Sequence, residues 1–208
     1  MTDRVVMGWC HGPVEPEFAA SKENFFNYQA EQFTLNPQYK PWFCEGQIEI
    51  TGLYVHENRN KIRHSFLERK ADYLWMVDSD IMLDADSLDK LMALAHPSRI
   101  VAGRYRTNMG GVILPVWMTW NAKDNTYEFK KEFDEVSEPF LIDACGMGHT
   151  LIPREILEAL PKHPFDFIRK RGLMYGEDVA FCYRAQKAGF EVWADPRASV
   201  RHIKKVAL

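Results

Sequence analysis

The sequence predicts an α/β fold: a mixed, mostly parallel central sheet flanked by helices, with a small antiparallel second sheet. Three observations carry that expectation. Strand-like and helix-like stretches alternate through the first half of the chain, the pattern of right-handed strand–helix–strand crossovers. The run Tyr73-Leu74-Trp75-Met76-Val77 is wholly apolar, too short for a helix, and stops at Asp78-Ser79-Asp80, as a strand buried on both faces does. From Gly103 to Gly146 no full helical stripe intervenes between strand-like runs, which favours antiparallel pairing.

Taken in order, Arg4 to Trp9 reads as the first strand and Cys10-His11-Gly12-Pro13 as the loop leaving it. Glu17 to about Phe33 is helical and offers Phe18, Phe25, Phe26 and Tyr28 to a core. Asn36 to Gly46, with its prolines, reads as irregular connection, and Gln47 to Tyr54 as a second strand. Asn58 to Lys70 is a helix with Ile62, Phe66 and Leu67 on one side. After the acid pair, Leu88, Leu91, Met92 and Ala95 fall at i, i+3, i+4 and i+7, an amphipathic stripe ended by Pro97. Ile100 to Gly103 is a short buried strand leading into Arg104-Tyr105-Arg106. Val112 to Trp120, Tyr127 to Phe133 and Phe140 to Ala144 are strand-like.

Gly146-Met147-Gly148-His149 reads as a tight turn. Pro153 stands at a first helical position, Ile156, Leu157 and Leu160 form that helix's face, and Pro161 stops it. His163 to Arg171 is a basic, proline-containing loop expected to move. Glu177-Asp178 follows Gly176 at the start of another helix that ends near Gly189. Phe190 to Ala194 is a last strand, and Pro196 to Leu208 a basic tail carrying His202.

The 208 residues suffice for one domain with a sizeable core, and an apolar content of 46% with 26% charged residues is ordinary for a globular protein. A net charge of −3 without blocks of like charge argues against nucleic acid as the main partner. Cys10, Cys44, Cys145 and Cys182 lie far apart and form no C-x-x-C pair, so they read as buried thiols of a reducing compartment. No signal-like apolar core follows Met-Thr-Asp-Arg, and no run approaches the ~20 apolar residues of a membrane span. A cytoplasmic protein without a membrane span is expected.

Asp78-x-Asp80 would stand at the carboxyl end of a strand, where open α/β sheets bind ligands. Two carboxylates there repel unless a positive partner joins them, and a hard divalent cation sharing carboxylate and phosphate oxygens is the most economical one. The plainer alternative is that Asp80 or Asp84 caps the next helix. Glu177-Asp178 suits the dipole of any helix start, and a lone His202 is otherwise a solvated side chain. The three features in one order are harder to dismiss than each alone.

With those residues in view, the sequence resembles the GT-A fold glycosyltransferases of the large, mostly inverting family 2 type, from Arg4 to His202. The pieces carrying the resemblance are Glu57-Asn58-Arg59-Asn60, Ala71 to Asp80, Gly146-Met147-Gly148, and Tyr175-Gly176-Glu177-Asp178-Val179-Ala180-Phe181 with a later His. The resemblance implies one GT-A (Rossmann-like) catalytic domain over residues 1–208, with a nucleotide-sugar half to about residue 105 and an acceptor half beyond. It implies Mn²⁺ or Mg²⁺ held by Asp80 and His202, with Asp78 on the metal or the ribose and Ser79 between them. Arg59 and Asn60 would lie near the nucleoside, and Trp9 and His11 near the base. That loop departs from the family's Pro-Thr-Tyr-Asn-like sequence, so the base is open. Asp178 would be the general base and Glu177 its support. Gly146, Met147, Gly148 and His149 would shape the acceptor wall. The implied reaction moves a sugar from a UDP- or GDP-sugar to a carbohydrate, lipid-linked or protein-glycan acceptor.

Three alternatives stay open on the sequence: a retaining enzyme with the same acid pair, a sugar-1-phosphate nucleotidyltransferase, or a sugar-nucleotide-binding domain without chemistry. Trp9 to Pro13 lacks the Gly-rich, Arg-containing loop by which nucleotidyltransferases resemble one another. Trp42, Tyr105, Trp117, Trp120 and Trp193 read mostly as core or sheet-packing residues. Trp117 and Trp120 have opposite parity on one strand, so one of them can face a cleft and stack on a sugar. Arg104, Arg106, Lys204 and Lys205 are candidates to attract phosphate, or are surface charges.

Overall fold

A computed structural model describes residues 3–11, 14–35, 42–170 and 172–203; for residues 11 and 42–45 it describes the backbone only. Along the chain run β1 (Asp3–His11), α1 (Pro16–Leu35), β2 (Trp42–Thr51), α2 (Val55–Leu67), β3 (Tyr73–Val77), β4 (Ile81–Met82), α3 (Ser87–Met92) and β5 (Arg99–Arg104). Then come β6 (Arg106–Met109), β7 (Val112–Pro115), β8 (Trp117–Asn121), β9 (Thr126–Phe129), a 3₁₀ turn (Lys131–Glu135), β10 (Phe140–Ile142) and β11 (Ala144–Cys145). The chain continues through β12 (His149–Pro153), α4 (Arg154–Ala159), β13 (Ile168–Lys170), β14 (Leu173–Tyr175), α5 (Glu177–Lys187), β15 (Glu191–Ser199) and β16 (Arg201–His202).

Seven strands form the central sheet in the order β10-β15-β5-β12-β3-β1-β2. β1 pairs in parallel with β2 and β3, and β15 with β5. β12 runs antiparallel to both β3 and β5, so β3, β5 and β15 all end at the same rim. The small antiparallel sheet β11-β8-β9 lies to one side. The expected mixed α/β sheet with a smaller antiparallel one is what the chain forms.

Strand alternation then sorts the core into two layers. Val6, Leu74 and Met76 face Ile62 and Phe66 of α2, with Phe181 of α5 in the same layer. Val5, Met7, Trp9, Tyr73, Trp75 and Val77 face Phe18 and Phe25 of α1 and Leu88 and Leu91 of α3. All five residues of β3 are buried, the both-faces burial that its unbroken apolar run calls for. By the same alternation, the residue after Val77 leaves the sheet on the α2 side.

Some boundaries differ from expectation. β2 begins at Trp42, so the second part of the expected irregular connection is strand; its first part, residues 36–41, lies outside the described residues, as do Gly12-Pro13 and Lys204-Lys205. The Gly146–His149 turn ends one residue early, because His149 already opens β12, a fully buried strand between β3 and β5. The long run Tyr127–Phe133 stops as a strand at Phe129 and turns into the 3₁₀ segment. The basic loop expected to move is pinned over its described residues, 163–170, while Arg171 lies outside them: Phe165 is buried and stacks on Phe181 at 4.4 Å, and Arg184 donates to the Pro164 and Asp166 carbonyls at 2.7 and 2.6 Å. Cys10, Cys145 and Cys182 are free thiols.

Candidate active site

The carboxyl rim of β3 carries Asp78, Ser79 and Asp80. The Ile81 amide donates to the Asp78 carbonyl at 3.1 Å, closing a turn that sends the two acid side chains different ways. Asp78 keeps the α2 side of the sheet, and there it meets Arg59. Arg59 stands one helical turn before Ile62 and so shares the inward stripe of α2; its side chain is 4% exposed.

Arg59 holds three carboxylates. Nη2 lies 2.9 Å from Asp78 Oδ1, Nη1 lies 2.8 Å from Glu177 Oε1, and Nη1 also contacts Asp178 Oδ1. Glu177 and Asp178 arrive from the first turn of α5. Burial works against the guanidinium's charge, but Asp178, Asp78 and Glu177 together hold its pKa well above the ordinary value. One positive charge facing three acids leaves the cluster short of countercharge. Burial pushes the Asp178 carboxyl up to about 7; Arg59 and the Met147 amide pull it down, and Glu177 and Asp78 push it further up. The Asp178 side chain retains 27% exposure, so a hydroxyl in the cleft can reach it.

Asp80 forms a separate station. β16 pairs with β4, setting His202 opposite Ile81, and the Ile203 amide donates to the Asp80 carbonyl at 2.7 Å. His202 Nε2 lies 2.9 Å from Asp80 Oδ2, while Nδ1 lies 2.8 Å from the Arg106 carbonyl. A carbonyl only accepts, so Nδ1 is the donor and carries a proton. Nε2 lies at hydrogen-bond distance from the carboxylate, so the two either share a proton or stand as neighbouring ligands beside one ion. An imidazole tied through its second nitrogen to a carbonyl is also how metal-binding histidines are held. Among the described residues no three His, Cys, Asp or Glu side chains converge as a metal site. Two protein ligands still fit Mg²⁺ or Mn²⁺, which commonly take one or two carboxylates and complete the shell with substrate phosphate and water.

Tyr105 links the two stations. Its ring packs edge-on against His202 at 5.3 Å, and its hydroxyl accepts the Gly148 amide at 3.0 Å. Gly148 is there because nothing larger fits: a Cβ would stand 2.8 Å from Asp78 Oδ2 and 2.9 Å from the Tyr105 hydroxyl. A groove of about 440 Å³ opens over Asp78, Ser79 and Asp80, with Cys10, Gly52 and Asn58 on its other side. Burial pushes the Cys10 thiol up to about 11, so it stays protonated there.

Several expected site residues stand elsewhere. Trp9 has the wrong parity: it is buried on the α1 side against Phe18 and under the Lys22 ammonium, and Cys10 faces the groove instead. The His11 side chain lies outside the described residues. Asn60 points off another side of α2, donating to Asp166 and accepting the Phe165 amide, beside a groove of about 900 Å³ away from the acids. Arg59 is consumed by carboxylates and not offered to a nucleoside. Asp78 faces Arg59, so the His202 station has Asp80 alone. Gly146, Met147 and Gly148 are buried, the Met147 amide on Asp178 and the Gly148 carbonyl on the Asp78 amide, so they make no acceptor wall. His149 is sealed under the sheet with Nδ1 accepting from Trp75 Nε1 at 3.2 Å; burial drops its pKa to about 3, so it stays neutral. Arg104 and Arg106 both bind Asp134. Strand parity was the signal that could have found Cys10 and excluded Trp9; nothing in the spacing announced Tyr105 as the link.

A mixed seven-stranded sheet with helices on both faces and acids gathered at one rim defines an α/β protein of GT-A-like fold. Among the solved structures it resembles is the crystal structure of A197 from STIV, which it matches over 99% of this chain and 96% of that one, with a TM-score of 0.54 and 16% identity. At that identity the likeness concerns the fold alone. No family model and no curated protein matches the sequence.

Proposed function

We propose that this protein is a metal-dependent glycosyltransferase that moves a sugar from a UDP- or GDP-sugar to a hydroxyl acceptor, with inversion and with Asp178 as general base. The observation that carries the reading is the division of labour at the rim. One station, Asp80 with His202, can take a cation; the other, Asp78, Glu177 and Asp178 around Arg59, keeps a carboxylate poised near neutrality.

Asp80 and His202 would hold Mn²⁺ or Mg²⁺ together with diphosphate oxygens of the donor. When bound, the ion supplies Lewis-acid stabilisation of the charge that develops on the departing nucleoside diphosphate. Asp178 accepts the acceptor's hydroxyl proton. The freed oxygen forms its bond to the anomeric carbon as the bond from that carbon to the phosphate oxygen breaks, and the electron pair leaves with the diphosphate. A base with a pKa near the working pH is the most effective kind, contributing ~10²–10⁴-fold. Arg59 favours the ionised form of Asp178 and, with Glu177, fixes its direction. Asp78 anchors Arg59 from the opposite side.

The test is release of nucleoside diphosphate from a panel of UDP- and GDP-sugars. Wild type should release it only with Mn²⁺ or Mg²⁺, and Asp80→Ala should lose the release while keeping its urea midpoint. Undiminished release by the variant would end the proposal. A thermal-shift screen with and without Mn²⁺ identifies the donor, since a ligand at a hundredfold its Kd stabilises by about 2.7 kcal/mol.

A further inference from the structure

A pocket rich in aromatic side chains lies beyond the two acid stations, on the far side of the α5 N-terminus. It holds about 300 Å³, the lower end of the range for small-molecule sites. Trp120 of β8, Tyr127 of β9 and Tyr175 of β14 wall it, and Val179, Ala180 and Tyr183 of α5 close it. We infer that this pocket is the acceptor subsite and that the acceptor is a carbohydrate, one of whose rings stacks among Trp120, Tyr127 and Tyr175; the assignment as acceptor rests on the glycosyl-transfer reading.

Three features argue for a sugar. First, Trp120 and Tyr127 meet at 5.1 Å and 66°, and Tyr127 and Tyr175 at 5.6 Å and 86°. All three rings line the one pocket, and an aromatic wall attracts the slightly positive C–H side of a pyranose. Second, polar groups of both kinds edge the same pocket. Asp143 takes the Trp120 amide at 2.7 Å and the Thr119 hydroxyl at 3.0 Å on Oδ2, while Oδ1 meets the Gln186 amide only at 3.4 Å. A carboxylate and an amide side by side can accept from and donate to neighbouring ring hydroxyls. Third, the lysines decide against the other ligand that aromatic cages favour. Lys170, bonded to the Tyr183 hydroxyl at 3.1 Å, and Lys187 both edge the pocket and would repel a quaternary or methylated ammonium.

The placement suits an acceptor. Tyr175 lies three residues before Asp178, and Val179 and Ala180 directly follow it. The Asp178 side chain turns to Arg59, off the pocket, so a ring seated here would present an adjoining sugar of a longer acceptor, not its own hydroxyl, to that carboxylate. The parity difference between Trp117 and Trp120 has the same outcome: Trp117 is fully buried and Trp120 faces the pocket.

The experiment uses the whole chain without nucleotide. Methyl glycosides of glucose, galactose and N-acetylglucosamine, and their β-1,4-linked disaccharides, are titrated by tryptophan fluorescence and by saturation-transfer NMR. At least one sugar should bind, and Trp120→Ala should weaken it tenfold or more. Trp120 packs in a small sheet, so Gln186→Ala, on the helix surface, is the second variant; it should weaken binding severalfold with an unchanged melting temperature. Silence across the panel at millimolar sugar, or equal binding by wild type and both variants, overturns the inference. Asp80→Ala separates the two proposals: it should keep the sugar while losing diphosphate release. Sugar binding by a wild type that never releases diphosphate sinks the transferase reading and leaves the pocket; donor turnover without sugar binding sinks the pocket alone.

Discussion

Arg59 and His202 both face carboxylates at the same rim, yet their surroundings are opposite. Arg59 carries a permanent charge, is almost sealed, and meets three acids. His202 carries an optional charge, meets one acid, and sits where two-residue strands join the end of the chain's described part to the turn after β3. A fixed cation welded into acids holds the fold and sets a carboxylate's proton affinity. On the proposed reading, the imidazole is the side chain that a metal ion would engage.

Removing Arg59 should break the comparison most severely. Arg59→Met leaves three carboxylates facing one another, and deleting one partner of a buried pair costs about 3–5 kcal/mol, read as a lowered urea midpoint together with lost transfer. Next is Asp178→Asn, which should cut transfer by ~10²–10⁴-fold without lowering the urea midpoint at neutral pH, because the cluster sheds a charge it cannot balance.

The pH dependence sharpens this. Wild-type kcat/KM should rise as the pH climbs through about 7, the pKa to which burial raises Asp178, and the Asn variant should lack that limb. Stability runs the other way. A pKa raised from 3.8 to about 7 on folding means that the folded chain binds the proton more tightly. That contribution is complete below 3.8 and is lost as the pH rises to about 7. The Asn variant should therefore gain on wild type over that window in denaturant titrations.

A smaller effect is expected at the link between stations. Gly148→Ala places a methyl against Asp78 and Tyr105 and should cost about 1–3 kcal/mol of overpacking, with a weakened metal response if Tyr105 moves His202. The smallest change in stability belongs to His202→Gln: its pair with Asp80 is part-buried, with side chains 10% and 34% exposed, and losing that hydrogen bond should cost about 0.5–1.5 kcal/mol. Its signature is instead a Mn²⁺ concentration for half-activation raised on the order of 10–100-fold, the scale of losing even an outer-shell partner. A midpoint that falls as far as with Arg59→Met would erase the distinction between the two stations.

Legibility along the chain follows the same divide. Tyr73–Val77 is the strand that the apolar run marks, residue for residue, since five buried side chains with no polar break admit little else. β12 was illegible. Gly146-Met147-Gly148-His149 reads as a turn running toward a helix at Pro153 with no strand between, but β3 and β5 bury residues 149–153 as a strand and Trp75 answers the imidazole. Among site residues, Asp80 and His202 do meet. The pairing of Asp78 with Arg59 was beyond reach, because an i, i+2 spacing says nothing about a turn that fans the two acids apart.

The sequence by itself determined the α/β class, the order of most elements and the acid-bearing rim, because periodicity and burial of short apolar runs are local matters. Only the tertiary structure decided which acid shares Arg59, which shares His202, and that Trp120 and not Trp117 faces a pocket. Those outcomes depend on strands and helices far apart along the chain arriving at one rim, where a few ångströms of packing choose each charge's partner.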